Sequence, residues 1–355
     1  MKVLPTKDKF LYTGRIDFTD ENEPLFIYAG SMAETKFTGR KLSLYLKNEA
    51  MGDYYAVGVV LDGVQYKLEL PQDDKEVCIE VSGSLDDGEH TLTVFKRQAA
   101  AHYFRFCGIE TDEGSRLTLP EKEYALNIEV YGDSVSAGEL CEAVYYENHT
   151  DPEARNGFWD NSWFSYSLTL GRMLNARVYN NSQGGIALLN KTGFFNGPDP
   201  EKLVGVESTY DKLSYVGYSK EGFTDWDFSK YTPDVVIMAI GQNDPNPFPE
   251  KTQDKDFIRK WKDTYKSVLY DLREKYGKNI RVLMILTVLM HDPRWDTYLD
   301  EIQAELEQET GEKWAKHFSF SRCGKATPGH PRITEQYEMA YELAREIKSW
   351  EIGQI

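Results

Sequence analysis

Ser134 lies in the segment Ile128-Glu129-Val130-Tyr131-Gly132-Asp133-Ser134-Val135-Ser136-Ala137-Gly138. There an apolar, strand-like run ends at a glycine, an Asp-Ser pair follows, and small residues let the chain turn into a helix. The pattern places one hydroxyl at the C-terminal end of a strand, where open α/β sheets collect their ligands. A serine held there is a nucleophile if a base and an oxyanion site are supplied from elsewhere. The plainer alternative is a strand-to-helix turn with Asp133 or Ser134 as its N-cap. Three further segments have residue types that could complete the chemistry. In Asn180-Asn181-Ser182-Gln183-Gly184-Gly185 the glycines let a backbone N–H approach a ligand closely. Gly241-Gln242-Asn243-Asp244 offers an amide donor, and Thr327-Pro328-Gly329-His330-Pro331 offers an imidazole base. Each could be an ordinary loop; four in this order, each at a predicted strand end or helix start, favour a constellation.

The elements that must position them divide the chain. Residues 1–120 read as short alternating strands, among them 41–46, 54–61 and 91–95, separated by turn chemistry at Asp62-Gly63 and Asp86-Asp87-Gly88. Regular short strands without a long helix predict an all-β sandwich of the jelly-roll type. The run 117–122 reads as a linker. From residue 121 to 355, strands at 128–132, 176–180, 233–240 and 280–289 alternate with helical periods at 163–174, 256–276 and 297–314. That alternation predicts a three-layer α/β/α domain with a parallel sheet.

The composition narrows the function classes. A chain of 355 residues carries a formal net charge of −17, with 41% hydrophobic and 28% charged residues. So acidic a surface repels phosphate backbones, so no nucleic-acid partner is expected and a neutral ligand is easier to accommodate. No window approaches the ~18 uninterrupted apolar residues of a membrane span, and no membrane partner is expected. The first ten residues lack an apolar signal-like run, so a cytoplasmic location is expected, or a secreted one if a leader precedes this sequence. Cys78, Cys107, Cys141 and Cys323 are scattered without a CxxC pair, which argues for free, buried thiols. His90, His102, His149, His291, His317 and His330 show no HxxxH pairing, so no metal and no cofactor are expected. A homo-oligomer is compatible with the sequence. The 23 Tyr, 17 Phe and 7 Trp include Trp226, Trp295 and Tyr298 as candidate sugar platforms, although a core role is the better expectation for each.

The order Gly132-Asp133-Ser134, Gly185, Gly241-Gln242-Asn243-Asp244 and His330 resembles the four blocks of the SGNH hydrolases, or GDSL-type esterases. The β-rich first part, with Gly30-Ser31, Phe37-Thr38-Gly39 and Val94-Phe95-Lys96-Arg97, resembles the N-terminal segments of carbohydrate esterase family 2. The resemblance covers nearly the whole chain. It implies Ser134 as nucleophile, His330 as base, and an oxyanion hole of the Ser134 and Gly185 N–H groups with the Asn243 side chain. It also implies removal of acetyl groups from plant-wall poly- or oligosaccharides, such as acetylated xylan or mannan, without a metal. The substrate partner would then be an acetylated xylo- or manno-oligosaccharide.

One position departs from the superfamily. The aspartate that many members place three residues before the histidine is Thr327 here. The expectation is therefore a Ser–His dyad, with a backbone carbonyl or the Thr327 hydroxyl accepting from the ring. Asp292, beside His291, is a candidate substitute acid, whereas Asp133 is expected to fix the turn around Ser134. The sandwich is expected to be a structural partner in preference to a sugar-binding module. The rivals are a metal-dependent deacetylase, a noncatalytic carbohydrate-binding protein, and a lipase-like or thioesterase enzyme of the same superfamily.

Overall fold

The computed structural model describes residues 2–49, 54–99, 102–153, 157–195, 197–215 and 223–350. The N-terminal part is a sandwich of two antiparallel sheets. In one, strands Ile16–Asp17, Leu25–Phe26, Phe104–Glu110, Leu42–Asn48 and Glu76–Ser82 lie side by side in that order. In the other the order is Leu117–Thr118, Met32–Thr38, Glu89–Lys96, Ala56–Leu61 and Val64–Glu69. Strand Leu42–Asn48 buries every second side chain, Leu42, Leu44, Leu46 and Asn48, as a pleat with one wet face must. The three leucines meet Phe26, Phe104, Phe106, Val57, Val59, Leu92 and Val94 in the sandwich core. The expected Asp62-Gly63 turn joins two paired strands, both residues having positive φ, +51° and +81°.

The C-terminal part contains a five-stranded sheet of β1 (Leu126–Gly132), β2 (Ala176–Asn180), β3 (Val235–Ala239), β4 (Arg281–Met284) and β5 (Ala315–His317). Its order is β2-β1-β3-β4-β5 and all pairings are parallel. Five helices accompany it: α1 (Ser134–Ala137), α2 (Tyr166–Leu174), α3 (Lys255–Tyr276), α4 (Arg294–Thr310) and α5 (Ile333–Ser349). The central strand β3 is buried throughout, which explains its unbroken apolar sequence. Val236 and Met238 join the α3 and α4 faces through Trp261, Tyr265, Leu269, Trp295, Leu299 and Ile302. Val235, Ile237 and Ala239 point the other way, to Leu168 and Leu170 of α2 and to Met339, Leu343 and Ile347 of α5. This is the expected α/β class with a preceding β-sandwich.

A buried ion pair ties the sandwich to the sheet. Arg15 and Glu129 are fully buried and 2.9 Å apart, and Arg15 also donates to the Tyr131 hydroxyl and to the carbonyls of Tyr210 and Lys212. Glu129 accepts in turn from Tyr276 and Asn181. Removing one partner of so enclosed a pair typically costs about 3–5 kcal/mol, because the other charge is left buried and alone.

Candidate active site

Asp133 caps α1, its carboxylate accepting from the Val135 N–H, and so sets Ser134 at the end of β1. Burial pushes the Asp133 carboxyl up to about 6, although the Val135 N–H and the Gln242 amide favour its ionised form. The turn-fixing role expected for Asp133 matches these contacts. The same carboxylate accepts from Gln242 Nε2 at 2.6 Å and Asn243 Nδ2 at 3.0 Å, which draws the loop after β3 against the turn. Asp244 holds a third loop, accepting from the N–H groups of Leu188 and Leu189. Gly185, in that loop, has φ +74°, a conformation in which a side chain is strained.

His330 arrives ahead of α5 and closes the arrangement. Its Nε2 lies 2.9 Å from Ser134 Oγ, and its Nδ1 lies 2.8 Å from Oδ2 of Asp151. A carboxylate can only accept, so Nδ1 carries the proton and Nε2 turns its lone pair toward the serine hydroxyl. Burial alone would lower the His330 pKa. The hydrogen bond to Asp151, with the nearby charges of Glu139 and Asp133, raises it instead. Burial likewise opposes ionisation of Asp151, but its bonds to His330 and Arg332 hold it well below the usual carboxylate range.

The dyad expected from the sequence left no carboxylate behind the His330 ring, whereas the structure places one there. It is Asp151, from the loop between α1 and α2. Neither named substitute fills the role. The Thr327 hydroxyl accepts from the Asn148 N–H at 3.0 Å and so tethers the loop that carries Asp151. Asp292 is paired with Arg294 beside it. Arg332, fully buried, contacts Asp151 Oδ1 at 2.9 Å and donates to the carbonyls of Leu140 and Tyr146. The His330 N–H also donates to Oδ1. A methyl group on Gly329 would stand 2.4 Å from that oxygen, so the position admits only glycine while Asp151 is in place.

The oxyanion candidates are brought together less completely. The N–H of Ser134, at the first position of α1, has no intrahelical acceptor. Both hydrogens of the Asn243 amide have acceptors, Asp133 Oδ2 and the Ile186 carbonyl, so Asn243 can serve a ligand only by sharing one of them.

The three aromatic candidates do not line the site. Trp295 is 0% exposed and packs edge-to-face on Trp261 beneath α3. Trp226 is 7% exposed and covered by the Arg15 guanidinium. Tyr298 is half-buried against Trp295. Exposed rings occur instead at Tyr145, on the loop leading to Asp151, and at Phe194, packed on Gly185. A groove of about 480 Å³ lined by Thr13, Met32, Glu34, Lys122, Trp163 and Arg172 contains none of the reactive residues. The cysteines are free, as expected; Cys107 and Cys141 are buried, but Cys78 is exposed and Cys323 partly so.

Known proteins share this organisation. Residues 12–120 match the family profile named carbohydrate esterase 2 N-terminal. Over 351 residues, 96% of this chain, the sequence is 28% identical to the cellulase/esterase CelE of Acetivibrio thermocellus. The chain spans 39% of the length of that relative. It is 24% identical over 95% of its length to the acetylxylan esterase/glucomannan deacetylase of Cellvibrio japonicus, covering 88% of it. The fold superposes on the acetyl xylan esterase Est2A of Butyrivibrio proteoclasticus with a TM-score of 0.82 at 17% identity, over 100% of this chain and 99% of that one. By the profile of its sandwich and the similarity along its length, the chain resembles carbohydrate esterase family 2.

Proposed function

We propose that this protein is a serine carbohydrate esterase that removes O-acetyl groups from plant cell-wall poly- or oligosaccharides such as acetylated xylan or mannan. The observation that carries the reading is the aligned set Ser134 Oγ–His330 Nε2 at 2.9 Å and His330 Nδ1–Asp151 Oδ2 at 2.8 Å, at the end of β1. His330 takes the Ser134 proton as the oxygen attacks the acetyl carbonyl. Asp151 keeps the ring in the required tautomer and stabilises the imidazolium that forms. The tetrahedral oxyanion is held by the Ser134 and Gly185 N–H groups and by the Asn243 amide, whose hydrogen it shares with Ile186; one such donor is typically worth about 3 kcal/mol. His330 then protonates the departing sugar oxygen, and water repeats the sequence on the acetyl-enzyme to release acetate.

The similarity to an acetylxylan esterase/glucomannan deacetylase supports the choice of substrate. The exposed rings of Tyr145 and Phe194 suit the faces of sugar units. In this proposal the N-terminal part, up to residue 120, is a jelly-roll-type structural partner, anchored through Arg15 and Glu129. The test is acetate release from acetylated xylan, acetylated glucomannan and their oligosaccharides, with the hydroxyl position read by NMR. Deacetylation of at least one polymer class is expected. Hydrolysis of simple aryl acetates with no release from any of these sugars would move the protein to the non-sugar acyl esterases.

A further inference from the structure

A second cluster of reactive side chains lies at the same edge of the sheet and has no part in the proposed hydrolysis. His291 follows β4, Asp296 is in the first turn of α4, His317 ends β5, and Cys323 follows it in a loop. His291 Nε2 is 3.0 Å from Asp296 Oδ2 and 3.8 Å from Cys323 Sγ, while Cys323 Sγ is 3.4 Å from Asp296 Oδ1. The His291 ring is almost wholly enclosed, its side chain 2% exposed. Its Nδ1 is 2.7 Å from the Leu289 carbonyl, which can only accept, so Nδ1 is the protonated nitrogen. In a neutral ring, the Nε2 lone pair would then face a carboxylate oxygen, acceptor against acceptor. The contact requires a cation between the two groups, either a proton or a metal ion.

The geometry favours a metal ion. Tetrahedral zinc, with Zn–N and Zn–O near 2.0 Å and Zn–S near 2.3 Å, sets its ligand atoms about 3.3–3.6 Å apart. His291 Nε2 and Cys323 Sγ are 3.8 Å apart, each has an oxygen of the Asp296 carboxylate at 3.0 or 3.4 Å, and one ligand atom from each residue lies within 4.8 Å of the other two. One nitrogen, one carboxylate oxygen and one thiol sulfur form a ligand set suited to zinc. A further group points at the same place. His317 is buried, its Nδ1 is bonded to Asp300, and its Nε2 stands 3.4 Å from Asp296 Oδ1 without a hydrogen bond.

We propose that His291 Nε2, the Asp296 carboxylate and Cys323 Sγ form a structural zinc site, with His317 positioning Asp296. Binding displaces the proton from the His291 Nε2 and from the Cys323 thiol, so two protons are released per metal ion. The site joins the loops after β4 and β5 to α4. Cys323 also contacts the Thr287 carbonyl, and the Thr287 hydroxyl donates to Gln242 Oε1. Its role is therefore to hold the backing of the Gln242–Asp133 contact rather than to touch substrate, and the proposal stands whether or not the esterase reading does.

The test uses the full-length protein stripped with a chelator and titrated with Co²⁺, whose d–d absorption reports tetrahedral geometry and whose near-ultraviolet band reports a thiolate bond. One equivalent of Co²⁺ should produce both signals, Zn²⁺ should abolish them, and Zn²⁺ should raise the melting temperature. Cys323→Ser should lose the thiolate band, and His317→Gln should weaken binding about 10–100-fold, as loss of an outer partner does. A folded wild-type protein that gives no Co²⁺ signal, or a thiolate band that survives Cys323→Ser, would overturn the proposal.

Discussion

Two of the molecule's histidine–aspartate pairs, His330–Asp151 and His291–Asp296, are of nearly equal closeness but have opposite consequences. At His330 the carboxylate accepts the hydrogen bond of Nδ1–H, leaving Nε2 free to accept from the Ser134 hydroxyl. At His291 a backbone carbonyl accepts the hydrogen bond of Nδ1–H, and the carboxylate faces Nε2 instead. Burial alone would lower the His291 pKa, but Asp296 and Cys323 drive it up to about 10. The His291 Nε2 is directed at Asp296 and Cys323 and not at a hydroxyl, so it is not placed to accept a proton from a reacting group. The identity of the pair therefore does not decide the chemistry; which nitrogen meets the carboxylate decides it. One pair presents a lone pair to a hydroxyl, and the other binds its own surroundings together.

The comparison can be broken most directly at the nucleophile. Ser134→Ala should lower turnover on an aryl acetate by roughly a million-fold while leaving the melting temperature near that of wild type. Near-normal turnover in that variant would remove His330 from the role of base. A smaller effect is expected at the acid. Asp151→Asn should cost about 10^3–10^4-fold in kcat, the loss seen when a triad carboxylate is replaced and the tautomer is no longer fixed. The direction of its pH dependence is also set. His330 works only when neutral, and Asp151 raises its pKa, so the acid limb of the wild-type kcat/KM profile should lie above the ordinary histidine value of about 6.5. Removing the carboxylate should move that limb to lower pH even as the plateau falls. A loss below tenfold with an unmoved limb would restore the dyad. The smallest effect is expected from Asp292→Asn, which breaks only a partly exposed pair with Arg294 and should change kcat by no more than about twofold.

The residues proposed as nucleophile, oxyanion donors and base stand out in the sequence because each follows a strand or precedes a helix with strong local pattern. Ser134 follows the apolar run of β1, Gln242 and Asn243 follow β3, and His330 precedes α5. Asp151 had no such signal. It lies in a loop 179 positions from His330, and what places it there is tertiary: the Arg332 guanidinium, the Thr327 tether and the missing methyl group of Gly329. The aromatic candidates failed for a related reason. The helix expected from 297 begins at Arg294, and this earlier start puts Trp295 in line with Leu299, Ile302 and Leu306 on the buried face. Strand β4 is likewise shorter than its apolar run, ending at Met284, because Ile285–Leu289 continues as irregular chain toward the His291 cluster. Apolar sequence reports burial there, not pairing.

The bonds between the 140–151 loop and the 327–332 segment form a seam: Asn148 to Thr327, Asp151 to His330, and Arg332 to Leu140, Tyr146 and Asp151. None of these contacts belongs to the sandwich core or to the interior of the parallel sheet, and all of them orient one imidazole. Local opening of the seam would separate Asp151 from His330 while both hydrophobic cores stay closed. For the proposed esterase, heat would then silence the site through a few polar contacts between two distant stretches of chain before either domain melts.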